Sequence, residues 1–436
     1  MKFNRLTKTL PMVLIAFIAA VLFSGTANSV EVREESHAMV LLRGLPTLGT
    51  SHSVAIVELD PESPNFGTIL SEFEQPEMEL PLHHMYYSPT GRLYATGLDP
   101  ACSLAEIALV RDASGSPAVE GFDCLDTKGQ IVGEDIMWHS ANGKDYMFVT
   151  FMGGLGGKDG GSVGVFDPQS NAVVKVIEAR PSQIGEGKPF IMYPHGISAF
   201  KDRMVVSSTI HPDLATGVGN SITVIDLNTL EPIENIVTEK AKPVGFPSSP
   251  VEVLFVRPDI HPNAKPAVLV NTMFGFEVWR IAYDEITKKF GTPEVIYNGV
   301  DNKTGVPLEF YGNETELFIS HALPGVVKRY KLSELPDLVP AGPDIKADPG
   351  AHHMIFFSTA SGRKLIAVQN NLLNLGNAKD NDPTDIDFIA GVNAHTITVH
   401  DLTTGERLAS VNFKERYKKG IDNVEGLFGS GFVHHH

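Results

Sequence analysis

The sequence predicts an all-β fold, a seven-bladed β-propeller closed by pairing of its N- and C-terminal strands. Three observations predict it: 40 glycines and 29 prolines in 436 residues, short apolar runs punctuated by turn residues, and a recurrence of about 56 residues. Glycine and proline at that density favour many short strands over long helices. A period of this length marks a repeat architecture.

Residues 1–29 stand apart. Lys2, Arg5 and Lys8 precede an apolar run from Leu10 to Phe23, and small residues follow as far as Ser29. This is the pattern of a cleavable secretory signal, with an apolar run shorter than the roughly 20 residues that span a bilayer. The expected mature chain, 30–436, is periplasmic or secreted, without stable membrane insertion.

Within 30–436 two phrases alternate. HHMYYSPTGRLYATGL (83–98), SANGKDYMFVTF (140–151), ISAFKDRMVVSS (197–208) and MIFFSTASGRKLIAVQ (354–369) each read as strand, tight turn, strand. VELDPESPNFGTIL (57–70), VFDPQSNAVVKVI (165–177), VIDLNTLEPIENI (224–236) and VHDLTTGERLASV (399–411) place an aspartate at a polar turn between apolar runs. One of each makes a four-stranded unit. The first strands start at His84, His139, His195 and Val251, spaced by 55, 56 and 56 residues, with further starts near Phe310, His353 and Val424. The segment before His83 supplies three strands and Val424–Val433 supplies one. Pairing them completes the first sheet and removes an open edge. No linker or charge block divides the chain, so it reads as one domain.

With 52 acidic against 35 basic residues and a net charge of −17, the chain opposes sequence-blind binding to phosphate backbones, so nucleic acid is not an expected partner. Cys102 and Cys124 flank a hairpin turn near Ala113–Ser116 and are placed as cross-strand partners by symmetry about that turn. A disulfide, two free thiols and a two-cysteine metal site are the open alternatives. The glycine-rich run at 152–164 reads as a loop, since Asp159 follows Lys158 where a phosphate loop needs Ser or Thr. No G-x-S-x-G elbow occurs.

In a propeller the first strand of every blade lines the central channel, so equivalent positions converge. That register holds His83 and His84, His139, His195, and His352 and His353, imidazole from four blades. Neutral imidazoles that converge bind copper, iron or zinc. Neighbours on a regular strand point to opposite faces, so one histidine of each pair aims down the channel unless a bulge brings in the other. Glu134 and Asp135 read either as acceptors that orient a ligand imidazole or as a solvated turn. His211, His261, His321 and His400 fall off the register. The tail His434–His436 reads as frayed, or as folded over one mouth of the channel.

Several collinear segments resemble the selenium-binding protein and methanethiol oxidase family: ELDPESPNFGTILSEFEQPEMELPLHHM (58–85), GKDGGSVGVFDPQSNAVVKVIEARP (157–181), SPVEVLFVRPDIHPNAKPAVLVNTMFGFEVWRIAYDE (249–285), ELFISHALPGVVKRYKL (316–332) and SGRKLIAVQNNLLNLG (361–376). The resemblance implies a seven-bladed propeller and, for the bacterial oxidases, copper-dependent conversion of methanethiol and O2 to formaldehyde, hydrogen sulfide and hydrogen peroxide. It also implies that His83, His84 and His139 bind the metal. The chain departs from the pattern in three places. MYYSPTG replaces the cysteine-rich run after the paired histidines, no cysteine precedes Asp60-Pro61, and Asn423-Val424-Glu425 stands where the family has a further histidine.

The functional expectation is a metal-dependent oxidase, with copper first, acting on a small thiol and O2. The competing readings are a non-catalytic periplasmic copper-binding propeller and a non-haem iron dioxygenase with a four-histidine site.

Overall fold

A computed structural model describes residues 36–427 apart from 45–47, 76, 114, 155–159, 213–216, 241–244, 360 and 372–393. The signal-like segment and the His434–His436 tail lie outside the described residues. Seven antiparallel sheets form a ring, a seven-bladed β-propeller. Blade 1 spans 37–75, blade 2 82–124, blade 3 133–178, blade 4 194–237, blade 5 250–298, blade 6 307–346 and blade 7 351–412. Lys419–Gly426 is the innermost strand of blade 1, pairing antiparallel with His37–Gly44. The expected closure is therefore present. Its strand begins earlier than the sequence suggested, at Lys419 instead of Val424. Among the described residues the only α-helix is Phe413–Tyr417, and no helix is long and apolar enough to cross a membrane.

Local chemistry accounts for the repeated phrases. The aspartate of the second phrase builds an Asx turn between third and fourth strands. Asp167 Oδ1 accepts from the N–H groups of Gln169 and Ser170 at 3.0 and 2.9 Å. Asp401 Oδ1 accepts from Thr403 and Thr404, both at 2.8 Å. Asp60 and Asp226 do the same toward Glu62 and Asn228. In blade 3, Asn142 and Gly143 carry positive φ, 53° and 72°, as a two-residue hairpin turn requires.

Every blade is covered on both faces, which is why its strands read as near-continuous apolar runs. Separate apolar cores fill the seven gaps. Val40, Ala55, Leu365 and Phe413 lie between blades 7 and 1, and Met39, Ile56, Met85 and Ile107 between blades 1 and 2. The remaining gaps are packed alike. A fully buried Val, Leu, Ile or Phe stabilises by about 1.5–3 kcal/mol. Apolar side chains are thus committed to the blade interfaces, and the hub is left to polar ones.

Candidate metal centre

Each innermost strand opens with a β-bulge. The pairing register shifts between Leu82 and Met85, Gly133 and Ile136, Pro194 and Ile197, Pro250 and Val253, Pro307 and Phe310, and Ala351 and Met354. In blade 1 the same shift falls around Asp422. The residues within these bulges are His83-His84, Glu134-Asp135, His195-Gly196, Val251-Glu252, Leu308-Glu309 and His352-His353. A bulge releases neighbours from strict alternation. Both members of a pair can then face one volume.

A recurring device holds the bulges. A polar side chain on the second strand of the blade takes the N–H that the bulge frees: Thr96 Oγ1 for His84 (3.2 Å), Thr150 Oγ1 for Asp135 (2.9 Å), Asn271 Oδ1 for Glu252 (2.8 Å), Ser320 Oγ for Glu309 (3.1 Å) and Gln369 Oε1 for His353 (3.2 Å). Three of the second-strand side chains reach the next blade as well. Thr150 donates to the His195 carbonyl (2.7 Å), Ser207 to that of Val251 (2.6 Å) and Asn271 to that of Leu308 (2.5 Å). Every buried N–H needs such a partner.

Five imidazoles meet as a result. His83 and His84 stack at 4.0 Å between centroids, and His352 and His353 at 3.9 Å. The His84 ring lies 4.8 Å from His353, 5.7 Å from His195 and 6.3 Å from His352. Nitrogen atoms of His84, His352 and His353 lie within 4.8 Å of one another. All three are buried, and His84 Nε2 makes no hydrogen bond among the described residues.

Carboxylates surround them. Glu134 Oε2 lies 3.2 Å from His83 Nε2 and 3.3 Å from His195 Nε2, and Glu252 Oε1 lies 3.0 Å from His195 Nδ1. Glu309 Oε2 is 3.3 Å from His353 Nδ1. Asp135 Oδ1 is 3.3 Å from His84 Nδ1 and accepts the Tyr86 hydroxyl, while its Oδ2 accepts Ile197 N–H at 3.3 Å. Asp135 thus fixes the His84 ring through Nδ1 and leaves Nε2 turned to other partners. The His352 ring is held by the Asn371 carbonyl, 3.1 Å from Nδ1.

Burial, reinforced by the neighbouring imidazoles, holds His84 well below the ordinary histidine range, and the same causes push His352 down to about 3. Both are neutral near pH 7, with lone pairs available to a cation. Burial also opposes charge on His195, but Glu134 and Glu252 outweigh it and raise the ring to about 10. Burial and the Asp135 carboxylate push the Tyr86 phenol well above its usual value.

Five of the six histidines expected at the hub are there: His83, His84, His195, His352 and His353. His139 is not. It lies near the far end of strand Gly133–Ala141, where its Nε2 meets the Lys201 carbonyl at 2.7 Å in a largely exposed contact. The bulge that sets the register lies at Glu134-Asp135, so blade 3 presents carboxylates where histidine was expected. Imidazole therefore comes from three blades, not four. Glu252 and Glu309 were not foreseen as hub residues, and Asp422 marks the blade 1 register instead of Val424. The signal that locates them is the polar residue closing an apolar run on each second strand, at Thr96, Thr150, Ser207, Asn271, Ser320 and Gln369. His211, His261, His321 and His400 are buried packing residues. Cys102 and Cys124 form a disulfide with Cα atoms 5.3 Å apart, yet Cys124 pairs across the sheet with Ala105, so the bond runs to the turn before that strand.

Neither a family model nor a curated protein matches the chain. Among solved structures it is similar to a hypothetical selenium-binding protein from Sulfolobus tokodaii, with 15% identity, 92% of this chain and 96% of that one covered, and a TM-score of 0.63. It is also similar to a functionally unknown protein from Desulfotomaculum acetoxidans, with 9% identity, 86% and 96% coverage and a TM-score of 0.49. At 15% identity the likeness to the Sulfolobus protein is one of fold alone.

Proposed function

We propose that this chain is an exported, metal-dependent oxidase of a small thiol, holding copper on His84, His352 and His353. One observation carries the reading: three buried imidazoles from two blades bring ligand nitrogens within 4.8 Å of one another. The neutral form of His84 and His352 and the unbonded Nε2 of His84 suit a borderline or soft cation. The ion supplies the redox chemistry, which no side chain at the hub offers.

The chain's own residues hold and orient. Asp135 sets the His84 ring, the Asn371 carbonyl sets His352, and Glu309 stands behind His353. Packed interblade cores keep bulk water from the blade interfaces around the hub. Methanethiol is the substrate by the resemblance in sequence. The reaction would take methanethiol, O2 and water to formaldehyde, hydrogen sulfide and hydrogen peroxide. The likeness in fold to a protein described as selenium-binding agrees with this assignment. Export is supported by the signal-like segment 1–29 and by the Cys102–Cys124 disulfide, a bond favoured in oxidising compartments.

The test is metal quantification on the purified mature protein, with methanethiol consumption and peroxide release measured alongside. Stoichiometric copper and turnover, both lost in His84→Ala, are expected. Full activity in metal-free protein overturns the reading. Copper without oxygen uptake overturns the oxidase in favour of a copper-binding propeller. Iron retained under reducing conditions would replace copper in the assignment.

A further inference from the structure

The loop 98–103, between strands Leu93–Gly97 and Leu104–Arg111 of blade 2, touches the entries of two hub strands. Asp99 Oδ2 accepts the N–H groups of Glu79 and Leu80 at 2.8 and 3.3 Å, just ahead of the bulge at His83-His84. Leu98 N–H donates to the Pro81 carbonyl at 3.2 Å. On its other side the loop meets blade 3, where Ser103 Oγ accepts Val132 N–H at 3.1 Å, just ahead of the bulge at Glu134-Asp135. Leu98, Val132 and Met152 form one buried cluster, with Leu80 and Ile131 packed against it. A Cβ on Gly97 would collide with the Cys102 carbonyl oxygen, and one on Gly133 with that of Ser103. The loop backbone therefore lies tight against both strands.

One covalent bond ties this loop to the outer edge of the blade. Cys102 is 4% exposed, whereas its partner Cys124, the last residue of the outermost strand Pro117–Cys124, is exposed. A disulfide constrains a chain more than any one of the loop's hydrogen bonds does. The bond thus holds the loop, and the loop holds residues 79–81 and 132, which lead into the strands carrying His84 of the imidazole nest and the Asp135 that orients it.

We propose that Cys102–Cys124 is a thiol-sensitive clamp on the metal centre, opened by S-thiolation of Cys124 with a small thiol, the class of molecule the proposed oxidase consumes; in its effect on copper the clamp rests on that reading. Attack falls on Cys124, because exchange requires access to the sulfur. The incoming thiolate bonds to Cys124 Sγ, the Sγ–Sγ bond breaks, and Cys102 leaves with the electron pair and takes up the proton given up by the small thiol. One disulfide replaces another, so no oxidant or reductant is consumed. With Cys102 released, the loop grips the two strand entries less firmly, and the nest loses affinity for its ion.

The clamp is tested first without metal. Full-length mature protein, stripped with a chelator and treated with methanethiol, is followed by peptide mapping and amide hydrogen exchange. A mixed disulfide on Cys124 is expected, with faster exchange at residues 79–85 and 132–136 and unchanged exchange at 250–256 in blade 5. Asp99→Asn, with the disulfide intact, is expected to speed exchange at 79–82 without any thiol. The double variant Cys102→Ser, Cys124→Ser is expected to bind copper about tenfold or more weakly in competition with a chromophoric chelator, with blade 5 exchange as in wild type, which shows that the variant is folded. No adduct, an adduct on Cys102 alone, or exchange raised equally in all blades overturns the clamp. Copper affinity unchanged in the double variant overturns its hold on the centre. Wild type that binds no copper overturns the proposed function, while the exchange pattern still decides the clamp.

Discussion

The rings of His84 and His353 lie 4.8 Å apart at 76°, although their blades, 2 and 7, are not neighbours. Blade 1 stands between them, and its innermost strand is Lys419–Gly426. That strand contacts those of both blades.

Exchange of His139 separates structural register from family motif. His139→Ala is expected to keep the metal content of wild type and to lose about 1 kcal/mol of stability with the Lys201 contact. His84→Ala is expected to lose the metal. Elemental analysis of the two variants side by side checks this.

Asp135 acts on the nest through the His84 ring. Asp135→Asn is expected to weaken copper binding about 10–100-fold with every nest imidazole still in place. Competition against a chromophoric copper chelator measures it. An unchanged affinity would show that the ring is oriented by other contacts.

Four histidines outside the centre make stability depend on pH. Burial pushes His52, His261 and His400 down to about 4 and His321 to about 3. In the unfolded chain each returns to about 6.5. The folded state therefore binds fewer protons than the unfolded state, and stability is lost as pH falls from about 6.5 toward 4. Between pH 7.5 and pH 5 each histidine contributes up to about 2 kcal/mol to that loss. Urea unfolding of metal-free protein at the two pH values tests the sign. A protein more stable at pH 5 would refute it.

The disulfide is a separate contribution. Cys102 lies before strand Leu104–Arg111, and Cys124 ends the outer strand of the same blade, 22 residues later. Cys124→Ser is expected to destabilise by about 2–4 kcal/mol, read from the denaturation midpoint. Intact mass before and after reduction should differ by two hydrogens.

The blades were legible because turn chemistry repeats. Asp60, Asp167, Asp226 and Asp401 each build an Asx turn, and Asn142-Gly143 a hairpin turn, from local contacts alone. Five hub histidines were legible because they are histidines. Glu252 and Glu309 were not, and Glu134-Asp135 were legible only as one of two readings, since residue type does not reveal where a strand bulges. That position depends on pairing with the neighbouring strand, and its trace is the hydroxyl or amide of Thr150, Asn271 or Ser320 on that neighbour. In blade 3 the histidine nearest the repeat spacing pointed to the wrong end of the strand. The spacing of 55 and 56 residues over blades 2 to 5 is what singles out His139. The bulges are in fact 61 residues apart from Glu134 to His195 but 44 from Leu308 to His352.

The order of synthesis gives the closing strand a further meaning. His84 and His353 meet beside residues 419–426, a strand synthesised after both of them. An ion that requires both rings would have no complete seat until that strand has docked. On the proposed reading, loading would follow closure of the ring.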